Sequence, residues 1–495
     1  MSAPLKIDEA LVRSVVEEVV RTFGRTASTG SSAPAASTVR ATAPTVVTSS
    51  SSRRFGLFSD APSACAAAQA AFEQLRIKGV EGRAKVVEIV KTLVTRNAEA
   101  WGKFEFEETK IGRLAHKIEK LQIVKLVPGV EWLHPDARSG DHGITLEEYT
   151  PYGVVAAILP VTHSIPTLSG NIVNIVAAGN AVVFNAHPGG ARSAALAIRA
   201  YNEAIYAELG IENLITCIEQ PTIESFDALC KAPEVRLICV TGGPAVVSAA
   251  MKSGKRAICA GPGNPPVLVD GTGCLDKAAR DIIQGGAYDN NLLCVGEKEV
   301  FVLDSIFDRF LESMSRAGAR RLNDTQLDRL TKVAFTMKPD AGGCSHPVLN
   351  RALVGVDAAV LARQAGTDVP ADTPLLFAVT DANHAFVIEE QMMPMVPIVR
   401  VKTVEEGIAA AVRAEHGYKH SSLIHSLNVE HMTAMARALD TTLFVKNGPC
   451  TAGLGLGGEG YLSYSIATTT GEGITNPRTF TRTRRCVMVD NLRIY

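Results

Sequence analysis

Residues 153–187 read GVVAAILPVTHSIPTLSGNIVNIVAAGNAVVFNAH. GVVAAIL and NAVVFNAH are short, near-continuous apolar runs and read as strands. TLSGNIVNIVAAG between them reads as a helix. Strands without polar alternation belong to a parallel sheet covered by helices on both faces. The rhythm continues downstream: NLITCIE, VRLICVTG and KRAICAG read as strands, and ARSAALAIRAYNEAIYAEL, ESFDALCKA and PAVVSAAMKS as helices. The fold class is therefore α/β, a doubly wound parallel sheet of the kind that takes ligands beyond the C-terminal ends of its strands. A second α/β region follows from about Gly263, and SACAAAQAAFEQLR and EGRAKVVEIVKTLVTRNAEAW upstream read as helices.

A chain of 495 residues suggests about three domains or lobes. Its 46% hydrophobic and 20% charged residues fit a globular enzyme with a large core. A net charge of −1 speaks against nucleic acid and anionic membranes as partners. Ten cysteines without a C-x-x-C pair fit a reducing compartment rather than a disulfide framework. No apolar run approaches the roughly 20 residues that span a bilayer. At the N-terminus, acidic residues interleave with the apolar ones, unlike a secretory signal. Ile7, Leu11, Val15, Val19 and Phe23 form a helical apolar stripe with Asp8 as its cap, giving an amphipathic helix over 1–24. The Ser/Thr/Ala/Pro-rich stretch 25–54 reads as a disordered linker. A helix so tethered either packs on its own body or docks on another protein, and the long tether favours docking.

GLGGEG at 455–460 matches G-x-G-x-x-G, but no βαβ unit surrounds it and it is not read as a dinucleotide fingerprint. In VTGGPAVVSAAM a strand ends at Val240, Gly242 and Gly243 turn, and a helix begins near Pro244. Such a turn is either an ordinary connection or a pyrophosphate cradle. His416 and His420 lie four apart, but no H-E-x-x-H pattern or third ligand accompanies them, so they read as structural and no metal is expected. Cys65, Cys217, Cys230, Cys239 and Cys259 lie in apolar stretches and read as core. Cys294, in GGAYDNNLLCVGEKEV (285–300), sits between asparagines and a charged run, and is the candidate nucleophile. An ordinary thiol near 8.5 is a few per cent thiolate at neutral pH.

Tyr288-Asp289-Asn290-Asn291-Leu292-Leu293-Cys294, followed by Glu297-Lys298-Glu299, resembles the cysteine segment of the aldehyde dehydrogenase superfamily. More narrowly it is similar to the coenzyme A-acylating branch, which includes microcompartment propanal and acetaldehyde dehydrogenases. GVVAAILPVT, AAGNAVVF, VTGGP, AGPGNPPV, EEQMMPMVPIVRV, EHGYKHSSLIHS and NGPC…GLGGEG occur in family order, over about residues 55–490. The resemblance implies that Cys294 adds to an aldehyde, and that hydride transfer to NAD leaves a Cys294 thioester. Hydrolytic relatives carry a glutamate in Glu-Leu-Gly-Gly; here the stretch is Ala260-Gly261-Pro262-Gly263, so coenzyme A replaces water as acceptor. Glu390 matches the carboxylate that holds the nicotinamide ribose, although it also reads as a solvated loop acid. Thr162, Gly242, Gly243 and Glu390 are thus the cofactor-binding candidates. Asn185-Ala186-His187-Pro188 replaces Lys-Pro-x-Glu, which leaves NADP open beside NAD. His163 in Thr162-His163-Ser164 replaces the asparagine of Thr-Asn-Pro and becomes the oxyanion donor, together with the Cys294 amide.

The implied organisation is an NAD/CoA-binding domain over 55–135 and 153–262, a catalytic domain over 263–474, and oligomerisation strands over 136–152 and 475–495 that build a homodimer or tetramer. Arg482, Arg484 and Arg485 read as a solvated or inter-subunit face rather than a CoA phosphate site. The N-terminal helix resembles an encapsulation peptide, with a microcompartment shell or cargo protein as its partner inside the bacterial cytoplasm. The expected activity is oxidation of a short aliphatic aldehyde (propanal, acetaldehyde or lactaldehyde class) to its acyl-CoA. A hydrolytic or phosphorylating aldehyde dehydrogenase is the enzymatic alternative. A catalytically inactive shell-docking paralogue is the other, supported only by His163.

Overall fold

A computed structural model describes residues 55–339 and 345–490. The amphipathic stretch Ile7–Phe23 and its linker lie outside the described residues, as do the last five positions. The opening stretch folds as its pattern demands. Val154–Leu159 and Ala181–Ala186 are strands with every residue buried. They pair in parallel, Val154 opposite Ala181. The helix Ser164–Ala177 between them is buried along its whole length.

These strands are the centre of a six-stranded parallel sheet. Its order is Leu57–Phe58, Ile215–Ile218, Ala181–Ala186, Val154–Leu159, Val235–Thr241, Arg256–Ala260. The chain winds outward from Val154–Leu159 to one side, then returns to its other flank at Val235–Thr241. Neighbouring strands there send their connections to opposite faces, and a crevice opens beyond their C-terminal ends. The helix Ala61–Arg96 covers the sheet. Asp60 caps it, accepting from the Ser63 amide at 2.8 Å, and Ala64, Ala68, Ala71 and Leu75 form its buried stripe. It breaks at Gly79, whose φ of 67° lies outside helical space, between the two helices read from the sequence.

From Pro266 onward a second, seven-stranded sheet forms, again parallel throughout. It runs Arg320–Arg321, Leu376–Thr380, Met395–Val401, Glu299–Leu303, Pro266–Val269, Ser421–His425, Leu443–Lys446. A third, antiparallel sheet joins Asp136–Gly140, Gly143–Pro151 and Thr481–Val489. The last strand pairs along its length, from Thr481 opposite Pro151 to Val489 opposite Gly143, and is exposed from Arg482 on. Arg485 pairs with Glu147 across this sheet. No helix among the described residues is long and apolar enough to cross a membrane.

Candidate active site

A cavity of about 640 Å³ lies at the crevice of the first sheet. Its walls are strand ends. Thr162 and His163 follow Val154–Leu159, Gly242 and Gly243 follow Val235–Thr241, and Ala260 closes Arg256–Ala260. Cys294 and Glu390, each preceding a strand of the second sheet, complete the wall. All six site residues expected from the sequence thus line one cavity, with Ala260 among them. No residue of GLGGEG lines it; that motif follows the short 3-10 turn Cys450–Leu454.

The approach to Cys294 is a left-handed turn. Asp289, Asn290 and Asn291 have φ of 49°, 56° and 63°. Asn and Asp tolerate this region better than other side chains, yet three in succession store strain, of order 1–3 kcal/mol for each sparsely populated residue. All three are fully buried and held by hydrogen bonds. Asp289 Oδ1 accepts from the Arg113 amide at 2.8 Å, and Asp289 Oδ2 pairs with Lys120. Asn290 Oδ1 accepts from Arg113 Nε at 2.6 Å, while its Nδ2 donates to Gly355 O and Asp357 Oδ1, both at 2.9 Å. Asn291 Nδ2 donates to Glu297 O at 3.0 Å, and its Oδ1 accepts from Lys298 Nζ at 2.7 Å. The charged run after the cysteine is buried too: Glu297, Lys298 and Glu299 are all inaccessible.

The thiol sits away from the reference value of an exposed cysteine. Desolvation, with Glu390 nearby, pushes Cys294 up to about 12, and Lys298 opposes the rise. The side chain is half-buried on the cavity wall, so the cleft sets how much of that burial the thiol feels. Its neighbour across the backbone is Gly263, where a Cβ would come within 2.7 Å of both Cys294 O and the His420 ring. Only glycine permits that approach. His420 Nδ1 meets Ser421 Oγ at 2.8 Å and His416 Nε2 meets Ile388 O at 2.7 Å, so each ring has a separate protein partner.

Behind Thr162 and His163 stands a charge cluster that sequence reading missed. Lys117 Nζ donates to Thr162 O at 2.6 Å and pairs with Glu105 at 3.2 Å. Lys120 reaches Thr162 O at 3.5 Å and pairs with Asp289. Glu105 Oε2 accepts from the Ile165 amide at 2.9 Å. Two ammonium and two carboxylate groups, all buried, therefore tie the His163 loop to the Cys294 turn. Burial, then Lys120 and Lys117, hold His163 well below the usual imidazole range. It is a neutral ring on the cavity wall, with Nδ1 buried and without a hydrogen-bond partner among the described residues. A neutral imidazole carries one N–H and can donate it to a developing oxyanion.

The cavity also fits a dinucleotide. Gly243 caps the helix Pro244–Met251, whose first intrahelical bond beyond the proline runs from the Val247 amide to Gly243 O at 3.2 Å. The Ala245 and Val246 amides precede that bond and stay unspent within the helix, as a pyrophosphate requires. A Cβ on Gly243 would meet nothing within 4 Å, so the turn has open space beside it. Asn185 lines the same cavity, and its Oδ1 accepts from Ser225 Oγ at 2.6 Å.

Known proteins share this arrangement. The family model described as aldehyde dehydrogenase family matches residues 35–460. The acetylating acetaldehyde dehydrogenase of Salmonella typhimurium is 43% identical over 441 residues, covering 89% of this chain and 93% of that protein. A propionaldehyde dehydrogenase from the Clostridium phytofermentans fucose utilisation bacterial microcompartment superposes with a TM-score of 0.85 at 40% identity, covering 89% of this chain and 100% of that one. A Rhodopseudomonas palustris propionaldehyde dehydrogenase, solved with bound CoA and an acylated cysteine, gives 0.84 at 40% identity, over 88% of this chain and 98% of that one.

Proposed function

The chain belongs to the aldehyde dehydrogenase family, and on that basis we propose that it oxidises a short aliphatic aldehyde with NAD and delivers the acyl group to coenzyme A. One observation carries the reading. Cys294 and Ala260 line the same cavity, so the nucleophile is present while the position of the hydrolytic base holds a methyl group. General-base assistance is worth about 10²–10⁴-fold in rate, and water without it is a poor acceptor. A thiol ionises nearer neutrality and needs less help.

The Cys294 sulfur adds to the carbonyl carbon, and its proton leaves. The resulting thiohemiacetal oxygen is met by His163, a neutral donor, and by the Cys294 amide. NAD, when bound, accepts the hydride from that carbon, and coenzyme A, when bound, supplies the thiol that displaces Cys294 from the thioester. Glu390 on the cavity wall would hold the nicotinamide ribose through its hydroxyls. Gly242, Gly243 and Thr162 would receive the pyrophosphate at the strand ends. Lys117 and Lys120, by gripping Thr162 O, keep the His163 loop from shifting while charge develops. Residues 55–135 and 153–262 serve as the cofactor domain, 263–474 as the catalytic domain, and 136–152 with 475–495 as the strands through which copies of the chain assemble. The relative from a fucose utilisation microcompartment supports the same address for this enzyme, with residues 1–24 as the docking helix.

The deciding assay follows NADH over two- to four-carbon aldehydes with and without coenzyme A. Steady turnover should require coenzyme A, and Cys294→Ala should abolish NADH formation with the fold intact. Equal acid production without coenzyme A would make the enzyme hydrolytic. Silence with every aldehyde would favour the inactive docking paralogue.

A further inference from the structure

His163 stands at the N-cap of the helix Ser164–Ala177, and its buried Nδ1 is the first of a row. Thr167 Oγ1, Asn171 Nδ2 and Asn174 Oδ1 are likewise buried without a hydrogen-bond partner among the described residues. Thr167, Asn171 and Asn174 lie on one face of the helix, since positions three and four apart share a face. His163, whose carbonyl accepts from the Thr167 amide at 3.1 Å, stands one turn before them. Buried polar groups are nearly always satisfied, and leaving one bare is costly. Four in file, beginning at the candidate oxyanion donor, point to a shared partner. The facing wall is polar as well. Ser465 Oγ donates to Asn171 Oδ1 at 2.9 Å and meets Thr241 Oγ1 at 2.7 Å, and Thr241 lines the cavity. Asn174 Nδ2 donates to Thr475 O at 3.4 Å. Each amide is anchored at one end and offers the other to the row. Positions four apart rise about 6 Å along a helix, and positions three apart about 4.5 Å. A water making two hydrogen bonds of about 2.8 Å spans about 5.6 Å, so one water matches each gap.

We propose that this helix face binds a row of ordered waters that ends on His163 Nδ1 and fixes the ring as the tautomer with its proton on Nε2. The proposal rests on His163 being the oxyanion donor. The direction of the row comes from Asn171. Its Nδ2 carries two N–H groups and no lone pair, so it can only donate. Towards Asn174 it donates through a water to Oδ1, which can only accept. Towards His163 it donates through a water to Thr167 Oγ1, which passes its own O–H to the next water, and that water donates to Nδ1. Such chains polarise along one direction. A nitrogen that accepts carries a lone pair, so the single proton of the neutral ring sits on Nε2. Because Nδ1 is buried, Nε2 is the nitrogen left to face the cavity that His163 lines. The N–H therefore points to where charge develops on the thiohemiacetal oxygen. With the row reversed, Nε2 would present a lone pair to that oxygen. Thr167 and Asn171 touch no substrate; they are positioning residues acting through His163.

Two measurements on the full-length enzyme test this. A crystal structure of the cofactor-free protein should show ordered water within about 3.2 Å of both His163 Nδ1 and Thr167 Oγ1. The second measurement is single-turnover NADH formation at saturating NAD. Thr167→Val keeps the shape of the side chain but interrupts the row, whereas Thr167→Ser keeps the hydroxyl and loses a methyl group. Loss of one oxyanion donor costs about 10²–10³-fold, so Thr167→Val should be slowed about tenfold or more, while Thr167→Ser stays close to the wild-type rate. A role in packing alone would reverse that order. A structure with no water at His163 Nδ1, or a folded Thr167→Val enzyme no slower than Thr167→Ser, overturns the proposal. If Thr167→Val does not fold, the crystal structure decides: water on Nδ1 and Thr167 Oγ1 upholds the row, and a dry Nδ1 overturns it. The waters are read without turnover, so a failure here is distinct from an active Cys294→Ala enzyme, which would remove the nucleophile itself.

Discussion

Cys294 carries a conflict between location and chemistry. The wall that positions the thiol also desolvates it, and the thiol rises to about 12. Below that value the thiolate fraction grows tenfold for each unit of pH. Iodoacetamide should therefore alkylate Cys294 about tenfold faster per pH unit between pH 7 and 9. A plateau below pH 8 would show a thiol already ionised in the resting enzyme. Ala260 is the second decisive residue. It is buried at the end of its strand, and its carbonyl accepts from the Gly242 amide at 3.2 Å. Ala260→Glu keeps that backbone bond and adds a carboxylate to the wall shared with Cys294. We expect hydrolysis of the acyl-enzyme to rise about tenfold or more relative to thiolysis, measured as free acid against acyl-CoA. An unchanged product ratio, with the variant folded, would disconnect Ala260 from the choice of acceptor.

At the scale of elements, the left-handed turn Asp289–Asn291 is the part most sensitive to substitution. Asn290→Ala removes the bonds to Arg113, Gly355 and Asp357 and leaves a Cβ at φ 56°. Asn290→Gly removes the same bonds but fits the backbone. Both should lower stability by about 1–3 kcal/mol in urea unfolding, alanine by about 1 kcal/mol more than glycine, and both should depress kcat. Equal losses would mean that the backbone conformation costs nothing there. This turn also marks the limit of what the sequence discloses. The strands of the first sheet were legible because burial on both faces leaves a local trace, an apolar run such as VVAAIL. Gly242 and Gly243 stood out as a strand-to-helix turn, whereas Cys294, His163, Thr162 and Glu390 were singled out through the family resemblance of the motifs around them. The cluster of Glu105, Lys117, Lys120 and Asp289 was not. Lys120 and Asp289 are 169 positions apart, and no local pattern separates a buried lysine from a solvated one. The same holds for Lys298, whose charged run gives no local sign that the fold encloses it.

At the scale of the whole molecule, the elements that build the cavity all lie within the described residues after position 54. Both large sheets, the cavity wall and the antiparallel sheet lie after residue 54, so deleting the first 50 residues removes none of them. The stripe Ile7, Leu11, Val15, Val19 and Phe23 would be marginal as an isolated helix, since helices in proteins gain most of their stability from packing an amphipathic face. A groove on a shell or cargo protein would bury that stripe, as amphipathic helices are bound elsewhere. Enclosure would also suit a volatile, reactive aldehyde and a cofactor pair that can be recycled locally. We therefore expect residues 1–54, fused to a fluorescent protein, to co-localise with microcompartment shells in a host that makes them. Leu11→Glu with Val15→Glu in the fusion should disperse it, because each charge interrupts the apolar face. Deleting residues 1–50 should leave the NADH-forming activity of the purified enzyme within about twofold, a change no larger than about 0.4 kcal/mol in the barrier. A fusion that stays diffuse beside intact shells, or a deletion that unfolds the enzyme, would make the segment part of the enzyme's own structure.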